Sequence, residues 1–360
     1  MSEEQPPILT ASMHDLRHFA TILRGINFNN VRATVTILHR GLLVKVEEAR
    51  TITATAFIFS DIFDEYIYHS ENQQNDNLME SSQGELLDNT MFEVSLNTLI
   101  DCLNIFGTGG PTSSGTGGSG GNKRWRKQGE GSDNESGEEN EARGRGRRIE
   151  PISTTGSEKH TGMHMTYAGG GYPLTLLIAE DASGPTTTCE ISTYEPEPQL
   201  DLDFDNDRMI LKIILKSSWF RDALSELDPS CDKLTFVSNP PEMTNNPRNG
   251  KQRKGSATKP ILRIKAGGNF GTTEMDYPND RDVLESFECT RSISFSYRFT
   301  HIAKTLRALQ SSTKTSLRID DEGLLSLQFM MPSPKARGPE GEGAQAFIDF
   351  HCLPLDEDVV

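Results

Sequence analysis

Thr186–Arg208, TTTCEISTYEPEPQLDLDFDNDR, decides how the rest of this chain is read. Thr186, Thr187, Thr188, Ile191 and Thr193 are β-branched and read as a strand. Pro196 and Pro198 stop it, because proline cannot continue a helix and removes a ladder donor. Leu200, Leu202 and Phe204 then alternate with Asp201, Asp203, Asp205 and Asp207, which predicts an extended acidic segment crossing a surface. The aspartate row also suggests calcium, but both loop registers fail. A loop starting at Asp201 puts Asn206 and Lys212 where Gly and Glu are required, and one starting at Asp203 puts Arg208 and Ile214 there. The segment reads as a connector.

The two sides of the connector share one grammar. Before it, Ile8–Ser12 reads as a strand and Met13–Ile26 as a helix with Leu16, Phe19, Ala20, Leu23 and Ile26 inward. Strands follow at Arg32–His39, Leu42–Glu48 and Thr51–Phe59, and Met91–Val94 leads into a second helix, Ser95–Phe106. Strand patterning resumes at Met163–Tyr167 and Leu174–Ile178. After it come a strand at Met209–Leu215, a helix at Ser217–Leu227, strands at Leu234–Ser238, Ile261–Ala266, Gly271–Tyr277 and Ser286–Tyr297, and a helix at Phe299–Leu309. Ser316–Ile319, Leu324–Met330 and Ala346–Leu353 close the pattern. The helix starts are 95 − 13 = 82 residues apart in the first half and 299 − 217 = 82 in the second. This predicts an α+β fold of two similar domains, residues 1–193 and 208–360, each with its own core and joined by 194–207.

Residues 107–161 break the first half. GTGGPTSSGTGGSGG opens them, followed by Lys123–Lys127 (KRWRK), an acidic Ser/Glu patch and Arg143–Arg148 (RGRGRR). Such a composition buries too little apolar surface to fold alone, so a disordered insert is expected, its basic runs serving either as a nuclear import signal or as plain linker.

Fifty-two acids against 36 bases give a net charge of −16, which excludes a nucleic-acid binder that works by overall basicity. Any DNA contact needs a local basic face. The polar helix stripes supply one: Arg17 and Arg24, Arg221, and Lys304 and Arg307 with His301 nearby, whereas the helix from Ser95 offers only Asp101. Five scattered cysteines without a C-x-x-C pair fit reduced thiols inside the cell. No apolar run approaches a membrane span, and the acidic start MSEEQPP has no signal-peptide core.

Catalytic signatures are sparse. His14 and His18 have a helical zinc spacing but lack the intervening Glu and a third ligand. Asp133–Glu135 and Asp320–Glu322 contain the D-x-E of a two-metal nuclease; the first falls in the insert, and the second, followed by Gly323, reads as a hairpin turn. There is no phosphate loop and no G-x-S-x-G. No catalytic residue, metal site or cofactor is expected.

The repeat of strands and helices about an acidic crossover resembles the sliding-clamp, PCNA-like fold. Longer passages carry a closer resemblance: HRGLLVKVEEARTITATAFIFSDIFDEY (39–66), SLNTLIDCLNIFG (95–107), YPLTLLI (172–178), EISTYEPE (190–197), ILKSSWFRDALSELD (214–228), GTTEMDYP (271–278) and EGLLSLQFMM (322–331). These look like the Rad-One family, which supplies one subunit of the nine-one-one DNA-damage checkpoint clamp. The resemblance implies a heterotrimeric ring with outer sheets and inner helices, two other clamp subunits as partners, a clamp loader, and checkpoint and repair proteins docked on the ring. It implies a nuclear protein that holds double-stranded DNA without reading sequence. On that basis Arg17, Arg24, Arg221, Lys304 and Arg307 are expected to face DNA. Thr188, Glu190, Ile191, Thr273 and Met275 are expected at subunit interfaces, and Leu200, Leu202 and Phe204 along a partner groove. Some members of the family have been described as exonucleases, so a metal-dependent 3′–5′ exonuclease is the alternative; a homotrimeric replicative clamp is a third reading.

Overall fold

A computed structural model describes residues 6–28, 31–70, 89–106, 160–180, 184–240, 261–332 and 345–356. The insert apart from His160 and Thr161, with both basic runs and Asp133–Glu135, lies outside the described residues.

The first half contributes β1 (Leu9–Met13), α1 (Arg17–Gly25), β2 (Arg32–Leu38), β3 (Gly41–Glu48), β4 (Ile52–Phe59), β5 (Glu65–Tyr68), β6 (Thr90–Ser95), α2 (Leu96–Leu103), β7 (Gly162–Tyr167), β8 (Leu174–Ala179), β9 (Thr186–Ile191) and the short β10 (Thr193–Tyr194). The second contributes β11 (Met209–Lys216), α3 (Ser217–Ser225), β12 (Cys231–Ser238), β13 (Leu262–Gly268), β14 (Gly271–Tyr277), β15 (Leu284–Cys289), β16 (Ile293–Arg298), α4 (Phe299–Lys304), α5 (Leu306–Ser311), β17 (Lys314–Asp320), β18 (Leu325–Pro332) and β19 (Gln345–Cys352). Period-two alternation builds the strands: β4 buries Ile52, Ala54, Ala56 and Ile58 and turns Thr55, Phe57 and Phe59 away.

Sheet order displays the duplication. β5-β1-β7-β8-β9 in the first half matches β15-β11-β17-β18-β19 in the second, and β4-β3-β2-β6 matches β14-β13-β12-β16. Two equivalent hydrogen bonds align the halves: Leu16 N–H donates to Thr161 O at 3.0 Å, and Ser217 N–H to Thr313 O at 3.1 Å. The halves differ at one joint. β19 pairs antiparallel with β4 from Cys352↔Ile52 to Ala346↔Ile58, welding a sheet of each half into one of ten strands. Two separate cores were expected; the buried residues instead form one connected cluster, because this pairing carries apolar packing from one half into the other.

The helices pack side by side in the order α2, α1, α5, α3, with α4 leading into α5. Their apolar stripes (Phe19, Ile22 and Leu23; Leu96, Leu99 and Leu103; Phe220 and Leu224; Ile302 and Leu309) are buried. Element bounds depart from the sequence reading in three places. β1 runs on to Met13, so α1 starts at Arg17. The expected Phe299–Leu309 helix breaks at Thr305, whose hydroxyl donates to Ile302 O at 2.7 Å. The expected Ser286–Tyr297 strand is two strands, β15 and β16.

Candidate nucleic-acid and partner interfaces

α1, α3 and the α4–α5 pair carry all five expected DNA-facing bases into one helical layer. Their immediate partners differ. Arg17 forms a bidentate pair with Asp15 (Nη2–Oδ2 2.7 Å, Nε–Oδ1 3.0 Å) and lies 2.8 Å from His160 Nδ1. Arg24 donates to the Asn104 side-chain oxygen, joining α1 to the end of α2, and burial lowers its pKa. Lys304 is paired with Glu48 and stands 5.4 Å from the centre of the Phe28 ring. Arg221 bonds its neighbour Asp222 at 3.1 Å, while Arg307 is exposed and touches Asn27 O at 3.5 Å. Arg24 and Arg307, on the two middle helices α1 and α5, thus bond uncharged oxygens, whereas Arg17, Lys304 and Arg221 are paired with Asp15, Glu48 and Asp222. The flanking helices are neutral or acidic, with Asp101 on α2 and Arg221 balanced by Asp222 on α3.

β9 and β14 each end a sheet. β9 pairs only with β8, and β14 only with β13, among the described residues. Thr188 and Glu190 on β9 are exposed, and Ile191 is buried against the core. On β14, Thr273 is exposed and Met275 half-buried. Arg263 and Lys265 of β13 bond the β14 carboxylates, with Arg263–Glu274 at 3.0 Å and Lys265–Glu274 at 2.8 Å.

The connector crosses the outer face of the ten-stranded sheet and is tied down along its length. Glu197 N–H donates to Glu93 Oε1 (2.9 Å), Gln199 Nε2 to Thr34 Oγ1 (2.5 Å) and Leu200 N–H to Glu47 Oε2 (2.7 Å). Leu202 is buried, and the Arg318 guanidinium lies 4.9 Å from the Phe204 ring centre. Beneath that ring, Asp349 accepts from Ser326 (2.8 Å), Gln328 (2.8 Å) and Arg318 (3.3 Å). Burial pushes the Asp349 carboxyl up, but the His351 imidazole 3.4 Å away and hydrogen bonds from Gln328 and Ser326 outweigh it and leave the pKa below its ordinary value. Of the three residues expected along a groove, Leu202 is buried and the half-buried Phe204 ring lies against Arg318 and His351, so these two anchor the connector, while Leu200 is half-buried and held through its backbone. A cavity of 380 Å³ sits upstream of them, between Pro196, Pro198 and Gln199 on one side and Thr36, Leu43 and Met91 on the other.

Sequence reasoning missed what continues from that cavity. Across six strands, Met91, Thr36, Leu43, Phe57, Phe347 and Met330 are successive cross-strand neighbours on the outer face. Phe59 packs edge-on against Phe347 with ring centres 6.3 Å apart. The available signal was Phe57 and Phe59 on the outward parity of a strand whose inward parity was already apolar.

The nuclease candidate is occupied by structural work. Asp320 Oδ1 accepts the N–H of Glu322 (3.0 Å) and of Leu324 (2.8 Å), closing the β17–β18 turn in which Gly323 takes φ +87°. Asp321 and Glu322 clamp Arg208 at 2.9 and 2.6 Å. The zinc spacing also dissolves: His14 lies before α1 and bonds Asp64 Oδ2 at 2.5 Å, while His18 is largely buried on α1. Among the described residues, no group of three or more His, Cys, Asp or Glu is placed to hold a metal, and no helix is long and apolar enough to cross a membrane.

Residues 8–331 match the family model described as repair protein Rad1/Rec1/Rad17. The chain belongs to this family. It is 30% identical over 357 residues, 99% of this chain and 95% of the relative, to the cell cycle checkpoint protein RAD1 of Homo sapiens. It is 28% identical over 448 aligned positions, covering 97% of this chain and 96% of the relative, to a protein named DNA repair exonuclease REC1 of Mycosarcoma maydis. Proliferating cellular nuclear antigen of Entamoeba histolytica superposes with a TM-score of 0.60 at 10% identity, covering 98% of this chain and 100% of that one. The Rad1-family chain thus has the sliding-clamp fold: two topologically similar domains, with antiparallel sheets on one side and helices on the other.

Proposed function

We propose that this chain is one of three different subunits of a ring that encircles double-stranded DNA at damage sites in the nucleus, is opened by a clamp loader, and serves as a scaffold for checkpoint and repair proteins. One observation carries the reading. The joint made inside the chain by β4 and β19 has its duplicate halves, β14 and β9, left open at the two ends of the fold. An open β9 on one subunit and an open β14-like strand on the next are complementary in kind, so head-to-tail pairing extends the architecture to closure.

In such a ring Arg17, Arg24, Arg221, Lys304 and Arg307 line the inner wall, and the middle helices hold phosphates without reading bases. Co-expression with candidate clamp subunits, a mass measurement of the complex, and retention on nicked circular but not linear plasmid test the ring. Arg24→Ala with Arg307→Ala is expected to lower the salt slope of DNA retention by about 2; an unchanged slope removes these two from the wall. The apolar outer row from Met91 to Met330 takes partner peptides, with the connector as one wall. Partner binding that survives Phe57→Ser with Phe347→Ser would move that site elsewhere.

The exonuclease reading keeps its place through the name of the Mycosarcoma maydis relative. Magnesium-dependent degradation of labelled DNA that copurifies with the chain and vanishes in Asp320→Asn, which keeps the Oδ1 acceptor of the turn, would replace the scaffold reading.

A further inference from the structure

The joint inside the chain is a template for the edges outside it, and register carries each joint residue to an edge position. Val46 faces Ala54 where Ala266 faces Thr273, so Ala54 and Ala56 correspond to Thr273 and Met275. Leu325 faces Cys352 where Leu174 faces Ile191, so Phe350 corresponds to Cys189. Ser95 pairs with Arg32 and Arg298 with Lys233, each just before its helix. Six residues on, Asp101 matches Lys304; ten on, Ile105 matches Ala308. The equivalent Leu16 and Ser217 hydrogen bonds make Glu226 the counterpart of Gly25.

Inside the chain these positions fit each other. α1 and α5 meet so closely at Gly25 that a Cβ there would stand 3.3 Å from Ala308 Cβ and 2.8 Å from Ile348 Cδ1. Lys304 is paired with Glu48, and Ala54 leaves room for Phe350. At the edges the same places hold mismatched chemistry. Ile105, 47% exposed, replaces Ala308; Glu226 replaces Gly25; Asp101 replaces Lys304. Were a second copy's β14/α3 edge laid on this chain's α2/β9 edge, Ile105 would meet Glu226 at the tightest crossing. Asp101 would face Gly268, and Glu190 would fall opposite Thr272 with Glu274 two positions along the same face. Burying an unpaired carboxylate and placing like charges on neighbouring strands both oppose pairing.

We propose that Asp101 and Ile105 are the residues by which the α2/β9 edge selects its neighbour. That edge takes the strand edge of a different chain, one offering a basic side chain to Asp101 and an uncharged, small helix end to Ile105, and it refuses a second copy of this chain. The clamp reading enters only in making this edge an interface.

The test needs this chain alone. Sedimentation velocity of the full-length protein up to about 100 µM is expected to show a monomer, since selection against self requires a dissociation constant well above that range. Restoring the template at the closest helix contact with Ile105→Ala and Glu226→Gly, and removing the opposed charges with Asp101→Asn and Glu190→Gln, is expected to tighten self-association at least tenfold. Glu226→Ala in the same background gives the same reading if glycine loosens α3, and circular dichroism melts confirm that each variant folds. Folded variants that associate no better than wild type overturn the proposal. So does a wild-type chain that closes on itself; if that closed form is retained on circular DNA, the encircling function stands while selection by Asp101 and Ile105 falls. Variants that self-associate while no assembly of the chain is retained on DNA have the opposite effect.

Discussion

β4 and β19 bury what β14 and β9 leave open. The strands hold equivalent places in the two halves, yet one pair is inside the core and the other pair marks the ends of the fold. Side chains make the difference. Phe350 opposes Ala54 and packs on Phe329 (ring centres 5.6 Å) and Phe28 (6.1 Å), whereas its counterpart Cys189 is half-buried beside Thr187. A duplicated backbone thus offers each kind of edge twice, and substitution decides which pairing the chain completes by itself and which it leaves to another molecule.

The sharpest way to break that contrast is to empty both places. Phe350→Ala removes a fully buried aromatic ring from the joint and is expected to cost about 3–5 kcal/mol, whereas Cys189→Ala at the open edge costs less than about 1 kcal/mol in the isolated chain. Urea unfolding midpoints check both. Equal losses would mean that the joint contributes no more than an edge. Next in size, Asp349→Ala strips the acceptor from Arg318, Ser326 and Gln328 beneath the connector and is expected to cost about 2–4 kcal/mol, with faster proteolysis at residues 195–207. Full resistance to proteolysis would show that Phe204 and Leu202 hold the connector without it. Smaller again, Gly25→Ala is expected to cost about 1–3 kcal/mol through overpacking against Ile348 and Ala308, whereas Glu226→Ala is close to neutral.

How much of this was legible follows from what a linear sequence can encode. The connector was readable because Pro196 and Pro198 act locally and the Leu/Asp alternation fixes which side chains turn inward; its direction was not, so Leu202 was expected beside a groove and lies buried. The duplication was readable as helix spacing. The helix starts in the structure lie 96 − 17 = 79 and 299 − 217 = 82 residues apart, so the equal spacing of the sequence reading depended on beginning α1 at Met13, which belongs to β1. The β4–β19 joint was invisible, since its strands lie some three hundred residues apart and no local pattern pairs Ile52 with Cys352. The apolar outer row failed for the same reason. The turn at Asp320–Gly323 was legible as a turn, and its carboxylates now have structural partners.

The last contrast concerns one helix position and is the subtlest. His18 on α1 and Trp219 on α3 are counterparts, but α1 sits between α2 and α5 while α3 ends the row, so Trp219 is 46% exposed and His18 is largely buried. Burial disfavours the imidazolium and lowers the His18 pKa to about 4, against a smaller raising effect from Asp15. The folded state therefore binds a proton less readily than the unfolded chain, whose histidine titrates near its ordinary value. Between about pH 6.5 and pH 4 the unfolded state holds more protons, so stability falls as pH drops through that window, by on the order of 1–3 kcal/mol, and His18 adds nothing further below it. Asp15 is held below the ordinary carboxylate range by its bonds to Arg17 despite burial, so the stability it contributes is lost only from the acid end of that window downward, and equally in wild type and His18→Gln. His18→Gln keeps a polar side chain of similar size without the titration. Urea midpoints measured at pH 7, 6, 5 and 4.5 are expected to fall more steeply for wild type than for His18→Gln, and parallel curves would mean that the middle helix is as open to water at this position as the outer one.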